Sequence, residues 1–156
     1  MRGPPDPDFV HDEPQTARAL RRMLLAILVF GIVGITVELL LLGHSEERMQ
    51  LVPLVMLALA LLTVAAWVLG GRRWGVQAVR AVMALFVPTG LLGLYNHYHG
   101  NVEFELEMYP SMRGSELISK TMTGATPVLA PGTMAMLGLV GLALVYRHPA
   151  IDERHL

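Results

Sequence analysis

Four long apolar runs, separated by short polar segments, set the pattern of this chain: about 23–42, 51–69, 76–96 and 127–146. Each is close to the ~20 residues that a helix needs to cross ~30 Å of hydrocarbon. The third is shorter in strict terms, Ala81 to Tyr95, and reaches full length only if Arg80 snorkels to the headgroups. This pattern predicts an all-α integral membrane protein: a four-transmembrane-helix bundle with a short, partly structured outer loop, 97–126, between helices three and four. The domain plan that follows is a leader at 1–15, a transmembrane domain at 16–148 and a tail at 149–156.

Composition agrees with lipid solvation. The 156 residues are 53% hydrophobic and only 16% charged, whereas a soluble domain carries about 25% charged residues to coat its surface. The leader, rich in Pro, Asp and Glu, cannot bury a core and is expected to be disordered. The first apolar run ends in Leu39 to Leu42 and lacks a small-residue cleavage site, so it reads as a retained anchor and not a cleaved signal.

Charge sets the direction. Arg2, Arg18, Arg21, Arg22, Arg72, Arg73, Arg80, Arg147 and Arg154 fall on one side, against Arg48, Arg113 and Lys120 on the other. The positive-inside rule then puts both termini in the cytoplasm, with the chain multi-pass in a cell (inner) membrane. Trp67, Trp74 and Tyr146 at one interface and Tyr95 and Tyr98 at the other fit the aromatic belts. The abundance of arginine over lysine points to a GC-rich, prokaryotic genome.

The outer loop holds two patterned stretches. Val102 to Met108 alternates apolar and acidic residues, which is the period of a strand. It reads as an extended segment lying on the membrane, or as an edge that pairs with a partner through Val102, Phe104, Leu106 and Met108. The alternative is a helix continuing span three, which stacks Glu103 and Glu107 one turn apart. Ser115 to Met122 reads as a short amphipathic helix resting in the interface. Residues 124–131 then either enter a helix kinked at Pro131 or dip into the membrane as irregular backbone.

Candidate chemistry gathers at the outer ends. Glu38 is the one acidic residue inside an apolar run, ~6 Å below the boundary, where a charge marks a functional candidate unless it merely snorkels. Gly31, Gly34 and Glu38 share a helix face, as do Gly90, Gly93 and His97. Small residues mark close helix approach, so spans one and three are expected to face each other and to join Glu38 to His97. His44, His99, Asn96, Asn101 and Glu103 lie nearby. Histidine with carboxylate suits a divalent metal or a proton relay, which makes His97, His99, Glu38, His44 and Glu103 the candidate ligands. The opposing readings are polar capping of the interface and a structural Glu38–His97 pair.

Much else is excluded. Without cysteine there is no disulfide or thiolate chemistry. No phosphate-binding loop, nucleophile elbow or zincin helix is present, and no basic footprint for nucleic acid. Methionine is read as packing filler and not as a copper site. The expected role is a non-enzymatic accessory or assembly subunit of a membrane complex or homo-oligomer. Alternatives are ion, proton or small-solute binding or transport through the Glu/His site, and a membrane enzyme acting on a lipid-soluble substrate.

Overall fold

A computed structural model of the chain describes residues 14–43, 48–71, 73–124 and 126–151. Residues 1–13 of the leader expected to be disordered, and His44, lie outside the described residues, and Gln15 already opens the first helix. All secondary structure in the described residues is helical. It comprises α1 (Gln15–Leu41), α2 (Leu51–Gly70), α3 (Arg73–Met108), α4 (Gly114–Met122) and α5 (Gly132–Val145), with a single 3-10 turn at Arg48–Gln50 before α2.

Three helices, α1, α2 with its leading turn, and α3, are long and apolar enough to cross a membrane, while α5 is a shorter apolar helix. Three threonine hydroxyls in these helices are satisfied locally: Thr36 donates to the Ile32 carbonyl at 2.7 Å, Thr63 to Leu59 at 2.9 Å and Thr89 to Leu85 at 2.8 Å. Such back-bonding lets a threonine sit in an apolar helix without an unpaired donor.

The four long elements close a ring in which α1 touches α2 and α5, and α3 touches α2 and α5. Helices α1 and α3 are diagonal to one another and make no contact among the described residues. The core is built where α5 enters this ring: Met83 and Phe86 of α3, Leu28 and Ile32 of α1, and Leu57 of α2 are fully buried, with Leu137 and Leu144 of α5 beside them. Glycine allows the close approach. A Cβ on Gly90 would lie 2.5 Å from the Ala135 amide nitrogen, and one on Gly138 would lie 2.8 Å from the Met83 carbonyl. Outside the ring, large apolar side chains stand free, Phe30 at 81% and Leu69 at 88% exposure among them.

At one end of the ring, Gly71 turns the chain from α2 into α3. It takes a left-handed φ of 56° and donates its N–H to the Trp67 carbonyl at 2.8 Å, which is how glycine closes a helix. On the same end, Arg21 of α1 donates to the carbonyls of Leu144, Tyr146 and Arg147 at 2.5, 3.1 and 3.1 Å. A guanidinium there satisfies the last acceptors of α5 and complements the negative end of its dipole. The residues after α5 cross to α2, with the His148 ring edge-on to Trp67 at 5.5 Å between centroids.

The stretch 102–108 is therefore helix, not strand. The helix of span three continues without a break to Met108, for 36 residues or ~54 Å. Extending an existing helix gains a hydrogen bond per residue without a new nucleus, whereas a lone strand would leave its backbone unpaired. The stretch before α5 is neither a straight helix nor free coil. Ala130 donates to Pro127 at 3.2 Å, Gly132 to Leu129 at 3.0 Å and Thr133 to Ala130 at 3.1 Å, a tightened spiral of i→i−3 bonds.

Candidate functional site

The end of the molecule opposite Arg21 carries a helical hairpin. Past Met108, a turn closed by Met112 N–H to the Tyr109 carbonyl at 3.0 Å reverses the chain into α4, which packs back on α3. Arg113 holds this turn, donating to the Pro110 and Met112 carbonyls at 2.8 and 2.6 Å. The expected helix at Ser115 to Met122 is present as α4, packed on protein through Thr121.

One side chain ties the hairpin together. Asn101 of α3 is only 2% exposed. Its amide nitrogen donates to the carbonyls of Thr121 and Thr126 at 2.9 and 2.7 Å. Its oxygen accepts from the Thr126 N–H at 3.2 Å and the Thr126 hydroxyl at 2.8 Å. All four hydrogen-bonding capacities of the amide are thus used. Gly124 makes room, since a Cβ there would lie 2.9 Å from the Asn101 amide group. Beside this latch, Nδ1 of His97 donates to the Pro127 carbonyl at 3.1 Å. A carbonyl only accepts, so this bond assigns the proton to Nδ1. His97 and Asn101 together hold Thr121 at the end of α4, and Thr126 and Pro127 beyond it, against α3.

The described candidate ligands, Glu38, His97, His99 and Glu103, do not gather into one group. Gly31 packs on Leu137, and Gly90 and Gly93 pack on Ala135 and Pro131. Gly31, Gly90 and Gly93 therefore meet α5 or the residue that precedes it, whereas Gly34 is exposed with nothing within 4 Å of its Cβ position; the expected pairing of spans one and three is replaced by contacts of each with α5. Glu38 is exposed on α1, not turned into the bundle. His97 is half-buried, while His99 lies two residues on, across the helix, where i,i+2 positions do not meet. His99 faces Glu103 at 3.4 Å, both exposed, and stacks at a tilt near Tyr95 at 5.7 Å. No group of three or more His, Asp or Glu suited to a metal occurs among the described residues.

The four candidate partner-binding residues divide into two pairs one helical turn apart. Val102 and Leu106 are half-buried. Phe104 and Met108 stand out at 51% and 59% exposure. Asn101 is the site residue that spacing would have found: it continues the Gly90, Gly93, His97 face by one more turn. Arg21 carried no such signal, since topology alone accounts for a basic residue there. No family model, curated protein or solved structure matches the chain.

Proposed function

We propose that this chain crosses the membrane four times with both ends cytoplasmic, and serves as a non-enzymatic accessory or assembly subunit that docks another membrane protein through its outer helical hairpin. The observation that carries the reading is the latch. A buried asparagine with every bond satisfied fixes α4 to α3 and so holds Phe104 and Met108 outward on a rigid support. Rigid presentation of exposed apolar side chains suits binding, because little ordering entropy is lost on contact.

The membrane reading rests on the surface. Exposed Phe30, Leu41, Leu62, Leu69, Leu85 and Leu139 surround the ring, far beyond what a water-soluble monomer tolerates in one patch. The fourth crossing is met by two parts. The 14 residues of α5 give ~21 Å at 1.5 Å each, and the spiral from Pro127 to Pro131 adds ~10 Å at ~2 Å each. Their sum is about the ~30 Å of a bilayer core. Irregular backbone at that depth needs protein partners, which is the part given to His97.

A photo-reactive residue placed at 104 or 108 in living cells tests the docking role. A discrete adduct from either position, absent from a control at Leu69 on the lipid-exposed surface, is expected. No adduct from either position, with the extracted protein at its monomer mass, refutes the role.

A further inference from the structure

We infer that the face of the hairpin around Phe104 and Met108 takes a basic amphipathic segment of a partner protein: apolar side chains flanked by Lys or Arg. This rests on the docking role above and names the chemistry of its partner.

Three observations lead there. Phe104 and Met108 lie one turn apart on α3, and Gly100, one turn below Phe104, has nothing within 4 Å of where its Cβ would stand. The two side chains therefore stand above an open notch in the helix surface. Glu103 and Glu107 are exposed and Glu105 half-buried, so carboxylates lie on both sides of the apolar ridge at helical spacing. These three carboxylates outnumber the Arg113 guanidinium of the following turn, which is hydrogen-bonded to the Pro110 and Met112 carbonyls.

Height and charge then decide the occupant. Phe104 is eight residues past Asn96, ~12 Å along the helix, and Met108 ~18 Å. The headgroup layer is only ~5–8 Å deep on each side, so these side chains rise beyond it and are not lipid anchors. A second copy would bring three carboxylates against three, and like charges across an interface suppress pairing. Opposite charge does the reverse, both steering encounter and fixing register. The surviving occupant is apolar at its centre and basic at its rim.

The test uses the full chain in phosphatidylcholine nanodiscs, with empty nanodiscs as the blank. Two synthetic helical peptides share one Leu/Phe face, and one carries Lys and the other Glu on its polar face. The Lys peptide is expected to bind about tenfold or more tighter, the combined effect of three exposed charge pairs, and to weaken as salt is raised. Glu103→Gln/Glu105→Gln/Glu107→Gln should erase the preference, and Phe104→Ala/Met108→Ala should weaken the Lys peptide about tenfold or more. Protection of the Thr126 amide against exchange checks that each variant keeps its hairpin. Equal binding of both peptides, binding of neither, or no effect of the alanine pair overturns the inference. An in-cell adduct from position 108 at twice the chain's own mass overturns it too, in favour of a second copy. A heterologous adduct with no Lys preference leaves the docking role standing and removes only the basic partner.

Discussion

Replacing Asn101 tests the latch directly. Asn101→Leu keeps nearly the same volume and deletes four hydrogen bonds, those to Thr121 and Thr126 at 2.7–3.2 Å. Each is worth about 0.5–1.5 kcal/mol net, and a buried group left unpaired costs more. Thr126 is exposed and regains water, and the buried Thr121 carbonyl keeps the Gly124 N–H at 3.4 Å, so the lower part of the sum applies: about 2–3 kcal/mol. Local opening of 121–127 should become about 30- to 150-fold more frequent. Hydrogen exchange read by mass spectrometry on peptides covering Thr121 to Pro127 measures this, with peptides from α2 as the unchanged reference. Asn101→Asp sharpens the test, since it keeps the acceptor and turns the donor into a carboxylate facing two carbonyls. The charged form is disfavoured, which raises the folded-state pKa above the ordinary ~3.9. Stability is therefore present below that value and lost as pH rises through the folded one. Exchange in the aspartate variant should slow on acidification beyond the intrinsic effect measured on the leucine variant. A change under about threefold in Asn101→Leu, where 1.4 kcal/mol is tenfold, refutes the latch.

The opposite end gives a second expectation. Arg21→Gln should free the last carbonyls of α5, lower stability by about 1–3 kcal/mol and raise exchange at Tyr146 and His148, with Lys a partial rescue because it is a point donor without the guanidinium fork. Glycine gives a third. Gly90→Ala drives a methyl against the Ala135 backbone and should cost about 1–3 kcal/mol, whereas Gly34→Ala meets nothing within 4 Å and should be neutral or stabilising by up to ~1 kcal/mol. Thermal unfolding in detergent separates the two, and equal losses would contradict the placement of Gly90 against α5 and of Gly34 in open space.

The long apolar helices were legible because burial in lipid or protein demands the same thing of Met23 to Val37 and of Leu51 to Leu69: uninterrupted apolar residues. Between Val102 and Met108 the same legibility misleads. Residues two apart in a strand share a face, yet here Val102/Leu106 and Phe104/Met108 are i,i+4 pairs on two sides of one helix, and the alternation of glutamate with apolar residues fits both geometries. What decided it was continuity with α3, a cooperative property that a seven-residue window does not contain. The glycine stripes told where helices come close but not which helix comes close. Gly31 and Gly90 both found α5, because a ring of four places each helix against two neighbours. Spacing puts Asn101 on the Gly90, Gly93, His97 face but does not say what it bonds. Its role depends on Thr121 and Thr126, brought 20 and 25 residues back along the chain by a turn that no local pattern announces.

The central claim is that α5 completes a fourth crossing, so that the hairpin and the segment after α5 lie on opposite sides. The chain has no cysteine, so single cysteines report without background. Ser115→Cys on α4 and Pro149→Cys after α5 are both at exposed positions, and a membrane-impermeant maleimide applied to intact cells, or to spheroplasts where an outer envelope bars it, reads which side each occupies. The four-span account expects Ser115→Cys to label at once and Pro149→Cys only after permeabilisation. Labelling of both from outside would mean that the chain crosses three times, and labelling of Pro149→Cys alone would invert it.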